Sequence, residues 1–363
     1  MDASEFRDAL IEEDCPASHI AYVTGLDLAT ARLFLYGDHS SLSEADLNAI
    51  LNMQVSDEHQ QLKEFNTQGA IIDGLGDALG KYTVGFLYER KDGTLGIATG
   101  VLIELGEREF VATARHVVHP TTMLQFMGSN TGWFTCNVTK EGAITKVGGG
   151  ANLEPIGNGR HDAYDVGYFE IAQGSSQQLG RTPIGLADIG VGAPQYGRNS
   201  FIVGFPESFF RVRKIREHVR EFGIGSITFG TPLLDLTEWP EVPDDARDSD
   251  PQADYFVTYD VTREKVARLS PKDDRPLPAV DLPTNLPNAH GISGGGFWQG
   301  SDPQDSLWNP CNYRLIGIQG SWSQERRYLR ATRSVHLLDL LRQKYPDLKA
   351  DIDQHLSTGE EMQ

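Results

Sequence analysis

From residue 82 onward the chain breaks into short β-prone runs divided by Gly, Pro and Asp turns. They fall at 82–88, 94–105, 110–113, 131–138, 166–171, 200–204, 255–261, 295–299, 314–322 and 328–332. Few helical periods lie between them. A parallel sheet needs crossovers of a dozen or more residues, usually helices. This stretch is therefore expected to be mainly β, a sandwich or barrel, rather than a doubly wound sheet. An amphipathic helix over 335–345, cut off by Pro346, closes the pattern.

The first 60 residues behave differently. They hold 12 acidic and only two basic residues, Arg7 and Arg32. Apolar residues recur at three and four there, which predicts short helices near 5–12, 17–24, 28–36 and 43–53. Ser43 with Asp46 makes a helix start. Residues 61–81 read as a linker helix carrying Ile71, Ile72, Leu75 and Leu79. The β-rich domain is placed at 82–349, with an exposed acidic loop inserted at 235–254 and a tail at 350–363. That loop holds eight acidic residues, one basic residue (Arg247) and three prolines. A basic cluster just before it, Arg211, Arg213, Lys214, Arg216 and Arg220, reads as a solvated face that could pair with the loop.

Composition removes several function classes. The formal charge is −19, which opposes broad contact with nucleic acid or anionic membrane. No apolar run approaches the ~20 residues that span a bilayer. The opening MDASEFRDALIEED lacks the basic and hydrophobic regions of a secretory signal. Three widely spaced cysteines (Cys15, Cys136, Cys311) give neither a disulfide framework nor a zinc site of usual spacing. A cytoplasmic compartment is the expectation.

Three segments carry reactive residues beside β runs. They are Thr113-Ala114-Arg115-His116, Asp165-Val166 through Ile171, and Gly291-Ile292-Ser293-Gly294-Gly295. A serine hydroxyl is a weak nucleophile until a base stands within hydrogen-bond reach. The base in turn needs an acceptor that fixes its tautomer. An oxyanion must be met by backbone N–H groups on a tight turn, where side chains would obstruct it. Gly291 and Ser293 are placed to supply those two donors. Asp162 is the alternative acid, three residues away from Asp165. His116-x-x-His119 is the one metal-like spacing, and no carboxylate or cysteine at usual spacing supports it. No metal or other cofactor is expected.

In combination these segments resemble the signatures of trypsin/chymotrypsin-like serine peptidases, of the bacterial, intracellular type that lacks disulfides. The T-A-x-H, D-[IV] strand and G-x-S-G-G elements occur in the family's order. Phe201–Pro206 and Ile316–Trp322 are similar to its flanking strands. The resemblance covers roughly 82–345 and implies two six-stranded antiparallel β-barrels with the site between them. It implies His116, Asp165 and Ser293 as catalytic residues, an oxyanion hole at Gly291 and Ser293, and substrate contacts along Gln319, Gly320, Ser321 and Trp322. The substrate class would be protein or peptide. Three departures stand out. Ile292 occupies the place where many members carry the aspartate used in zymogen activation. Gly296 replaces a usual proline, and the interval from Asp165 to Ser293 is long. No carboxylate occurs in 285–290 or 319–322, so cleavage after Lys or Arg is not expected; small, apolar or acidic residues are.

Other readings compete. Gly291-x-Ser293-x-Gly295 also fits the nucleophile elbow of an α/β-hydrolase esterase, although the later His336 and Asp339 are in the wrong order for it. A peptidase fold kept as a non-enzymatic binding or adaptor module is another. Residues 19–32 with Gly37 weakly resemble the helix-turn-helix of repressor-type DNA-binding domains. The −10 charge of residues 1–60 opposes DNA binding and favours contact with a protein partner.

Overall fold

The computed structural model describes residues 41–51, 78–89, 95–118, 155–209, 219–243, 246–261, 286–300 and 313–360. It also describes strands at 125–127, 131–138, 144–148 and 211–216 and scattered positions up to 76. The chain divides into two compact units, Met1–Ala70 and Ile71–Gln363.

In the first unit, helix α1 spans Glu44–Leu51. Ser43 starts it: its Oγ accepts the Asp46 N–H at 3.1 Å and donates to the Asp46 carboxylate at 2.6 Å. That is the reciprocal cap the sequence suggests. Phe34 and Ile50 are buried. The other expected helices, and with them the helical bundle and the helix-turn-helix, lie largely outside the described residues.

The second unit is built on antiparallel strands, in chain order β1 (Thr83–Glu89), β2 (Leu95–Leu105), β3 (Arg108–Thr113) and β4 (Gln125–Met127). Next come β5 (Thr131–Val138), β6 (Ile144–Gly148), β7 (Gly157–Arg160), β8 (Gly167–Ile171), β9 (Asn199–Gly204) and β10 (Arg211–Arg216). The rest are β11 (Val219–Gly225), β12 (Ile227–Pro232), β13 (Asp254–Thr258), β14 (Gly296–Gly300), β15 (Tyr313–Ser323) and β16 (Tyr328–Arg333). One six-stranded sheet runs β4-β1-β2-β3-β8-β7, and a second runs β12-β9-β14-β15-β16-β13. The second curls until its edges meet. Leu233, just past β12, bridges Val257 on β13, and the Leu234 N–H reaches the Phe256 carbonyl at 2.9 Å. This antiparallel order corrects the α/β-hydrolase alternative, which needs a parallel doubly wound sheet.

A third sheet, β10-β11-β5-β6, was not anticipated. The basic cluster of 211–220 is a hairpin whose second strand pairs with β5, Val219 opposite Asn137. Any pairing of its side chains with the acidic loop lies outside the described residues.

Two boundaries shift. The segment assigned as a tail is a helix. Helix α2 (Ser334–Lys344) is followed by α3 (Lys349–Glu360), and Ile352 is buried. The described positions between 75 and 80 are helical, and Leu75 and Leu79 share one core with Leu337, Leu338, Leu341 and Ile352. They belong to the β-rich unit rather than to a linker. A buried cluster fastens the C-terminal helices to the first sheet: Glu170 takes Arg108 at 2.6 Å and the Tyr345 hydroxyl at 2.8 Å. The acidic insertion is tied down as well. Trp239 packs its ring 4.8 Å from Phe256, and fully buried Asp254 receives Arg330 at 2.6 Å together with Arg247. Among the described residues no helix is long and apolar enough to cross a membrane.

Candidate active site

β3 ends at Thr113, and the chain turns through extended Ala114 into a 3-10 turn, Arg115–Val117. Val117 and Val118 insert into the first sheet's core, which leaves His116 on the outside with a half-exposed ring. Asp165 approaches from the turn that precedes β8. His161 shapes this turn by accepting the Ala163 and Tyr164 N–H groups on its Nδ1 at 3.2 Å each. The Asp165 carboxylate then meets His116 twice. Oδ2 lies 3.0 Å from Nδ1, and Oδ1 accepts the His116 backbone N–H at 3.1 Å. This double contact fixes ring and carboxylate together.

Desolvation pulls the His116 pKa down, but the hydrogen bond and charge of Asp165 outweigh it and hold it above the ordinary histidine value. For Asp165, desolvation pushes upward, and the His116 ring with the backbone N–H groups of His116 and Arg115 brings the net below the usual carboxylate range. Asp162 is exposed and does not meet His116; its carbonyl accepts from Arg115. His119 lies outside the described residues.

Ser293 sits in the tight loop leading into β14. Gly291 and Gly294 both have φ near +90°, which favours glycine. A Cβ on Gly294 would stand 1.9 Å from the Thr99 carbonyl, and one on Gly291 2.4 Å from the Phe205 carbonyl. The loop is fastened to β2 of the first sheet by one residue. The Thr99 N–H reaches the Ser293 carbonyl at 2.9 Å, and its Oγ1 donates to the Gly291 carbonyl at 2.8 Å. Thr113, three residues before His116, donates to the Thr99 carbonyl at 2.8 Å. Histidine and serine segments thus share one buried hydrogen-bond chain. Among the described residues the Gly291 and Ser293 N–H groups have no acceptor, and the Ser293 hydroxyl has no hydrogen-bond partner. The structure brings His116 and Asp165 into contact and leaves the Ser293 hydroxyl unbonded to His116.

The proposed substrate strand divides. Gln319 is buried and pairs through its backbone with the nucleophile loop, accepting the Gly294 N–H and donating to Gly295, both at 2.8 Å. Gly320 and Ser321 line a cavity of about 200 Å³ with Asp165, Ala246, Arg247, Arg330 and Thr332. Trp322 is half-buried, with His290 5.3 Å and Tyr259 6.4 Å from its ring. Tyr259 is buried, donates to the Pro287 carbonyl at 2.5 Å, and has its pKa pushed up by desolvation.

Sequence reasoning missed Thr99 and the Arg247–Asp254–Arg330 cluster. The signal for Thr99 was a polar residue inside the apolar run Ile97–Ile103. The cluster had none, because its members are separated by a loop and a strand.

No protein-family model matches the chain, and no curated protein matches it. Solved structures resemble it in fold. The active form of the Rv3671c protease from M. tuberculosis aligns at 12% identity and TM-score 0.42, over 75% of this chain and 85% of that one. A scabies mite inactivated protease paralogue, S-I1, aligns at 14% and 0.42, over 76% and 98%. A serine endoprotease from Yersinia pestis aligns at 12% and 0.40, over 76% and 67%. Likeness at these values leaves the site to be read from its own geometry.

Proposed function

We propose that the protein is a cytoplasmic serine endopeptidase of double β-barrel architecture, using Ser293, His116 and Asp165. The contact between the Asp165 carboxylate and His116 Nδ1 at 3.0 Å carries this reading. It directs the Nδ1 proton at Asp165 and leaves Nε2 free to accept. In the first half-reaction the Ser293 Oγ–carbon bond forms while the proton passes to His116, and the Gly291 and Ser293 N–H groups receive the oxyanion. The carbon–nitrogen bond then breaks, and His116 returns its proton to the leaving amine. Water repeats the sequence, breaking the acyl bond and restoring Ser293. With no carboxylate in 285–290 or 319–322 to meet a cation and with bulky Trp322 on the facing strand, small, apolar or acidic side chains are favoured over Lys and Arg at the cleaved position. No cofactor takes part. With Ile292 in place of the activating aspartate, restraint of the activity falls to conformation or to a partner of the N-terminal region.

The unbonded Ser293 hydroxyl favours a second reading, a peptidase fold kept as a binding or adaptor module. A fluorophosphonate probe separates the two. Labelling of the wild type that is lost in Ser293→Ala supports the peptidase. Absence of Ser293-dependent labelling supports the adaptor.

A further inference from the structure

We propose that the Thr99 hydroxyl is a positioning residue for the oxyanion site, acting from the opposite sheet; this rests on the peptidase reading above. Thr99 is fully buried at the point where β2 meets the nucleophile loop. Its Oγ1 does two things at once. It donates to the Gly291 carbonyl at 2.8 Å and accepts the Phe205 N–H at 2.9 Å. It therefore clamps the 291–292 peptide, next to the one that carries the Gly291 N–H, against the segment following β9. Two residues on, the Glu207 N–H holds the His290 carbonyl at 2.6 Å.

The consequence follows from peptide planarity. In a trans peptide the carbonyl and the next N–H point in opposite directions. With the His290 carbonyl held by Glu207, the Gly291 N–H is turned away from the Phe205–Glu207 segment. It has no acceptor among the described residues. A donor held in place before the reaction costs no reorganisation when charge develops. Glycine at 291, with φ of +91°, has no side chain to stop this peptide from rotating. Glu207 pins the peptide before Gly291, and the Thr99 hydroxyl pins the peptide after it, so the glycine's remaining rotation is restrained from the side that Glu207 does not hold. Thr99's own N–H fixes the Ser293 carbonyl, so both donor residues are tied to Thr99 through their carbonyls.

The test compares Thr99→Val, which keeps shape and removes the hydroxyl, with Thr99→Ser, which keeps the hydroxyl. Thr99→Ala serves as a second hydroxyl deletion. Thr83→Val is the control, since Thr83 is equally buried but donates to the Leu79 carbonyl at the start of β1. The readout is inactivation by a fluorophosphonate, separated into a maximal rate and a half-saturating concentration. Loss of a whole oxyanion donor costs about 10²–10³-fold, so its partial misplacement is expected to lower the maximal rate about 10- to 100-fold. The half-saturating concentration stays within about twofold, because the donor acts on the reacting oxygen alone. Thr99→Ser restores the rate, and Thr83→Val loses thermal stability only. Wild-type rates in Thr99→Val and Thr99→Ala, or an equal loss in Thr83→Val, overturn the inference. Labelling of the wild type that does not depend on Ser293 removes the peptidase reading itself.

Discussion

Replacing Asp165 by Asn tests the site at its best-defined contact. The carboxylate has two occupied oxygens, Oδ1 on the His116 backbone N–H at 3.1 Å and Oδ2 on Nδ1 at 3.0 Å. An Asn can settle in two ways. With its oxygen on the backbone N–H, its NH2 faces Nδ1, and the ring must carry its proton on Nε2. That tautomer cannot take the Ser293 proton. With the amide reversed, the NH2 faces a backbone N–H at about 3 Å, leaving two donors opposed. An unmet donor costs about 1–3 kcal/mol when buried and less where water reaches it, so the inactive orientation prevails by at most roughly 5- to 150-fold at 1.36 kcal/mol per decade. Loss of the negative charge beside the imidazolium takes about another 1 kcal/mol, the difference between charged and neutral hydrogen bonds.

The two effects together predict a fall in turnover of roughly 30- to 1,000-fold. That lies below the ~10⁴ known for a deeply buried triad acid. The reason is visible in the pair: 54% of the His116 side chain and 34% of that of Asp165 are exposed, so water substitutes in part for the lost carboxylate. The assay is peptide hydrolysis or fluorophosphonate inactivation, with Asp162→Asn beside it as the comparison. Asp162 lies on the same turn, and its hydrogen bond from Arg115 is to its carbonyl, which the substitution leaves in place. Asp162→Asn is therefore expected to stay within about twofold of wild type. If Asp165→Asn is near wild type and Asp162→Asn carries the loss, the assignment of the acid is wrong.

Further outcomes follow from the same contacts. Because Asp165 raises the His116 pKa and the base must be neutral, activity should fall as pH drops through a midpoint above the ordinary 6.5 of histidine, and the midpoint should move down in Asp165→Asn. A pH–rate profile of kcat/KM checks both, and an unchanged midpoint in the variant would separate Asp165 from the titrating group. Asp254→Ala should destabilise the β-rich unit by about 3–5 kcal/mol, because it strands the buried Arg330 guanidinium. At about 2 °C per kcal/mol for a unit of this size, Tm drops by about 6–10 °C. A calorimetric shift under 2 °C would mean that water or a carbonyl takes over.

The β-rich architecture was legible because strands from β1 to β3 and from β14 to β16 carry dense apolar runs bounded by Gly or charged turns. The strands that escaped lack that signal. β7 is Gly157-Asn158-Gly159-Arg160, with no apolar residue, and β10 alternates Arg and Lys with Val and Ile in a way that reads equally as a solvated basic face. Their partners are near in the chain, β8 for β7 and β11 for β10, and what the sequence does not show is that the β10–β11 hairpin joins β5, where Val219 meets Asn137. Helix α3 was read as a tail because Ile352 and Leu356 are its main apolar residues; only its tertiary neighbours show that they share a buried stripe. In the site, His116, Asp165 and the glycines around Ser293 stood out because their chemistry demands particular residue types. Thr99 did not, since a buried threonine in a strand is an ordinary occurrence until its partners are known.

Those partners explain why neither sheet can carry the site alone. Asp165 belongs to a turn of the first sheet, yet the cavity beside it is walled by Gly320, Ser321, Arg330 and Thr332 of β15 and β16. Arg330 is held there by Asp254 at 2.6 Å and by the carbonyls of Arg247 and Asp248 at 2.6 and 2.7 Å. The acidic insertion thereby braces the wall beside the acid. On the other side of the site, the Ser293 loop belongs to the second sheet but is fastened by Thr99 of the first. The first sheet fastens the serine loop of the second, and the second walls the cavity beside Asp165 of the first. Breaking one of these buried bonds without replacement costs about 1–3 kcal/mol, and water cannot easily reach them to compensate.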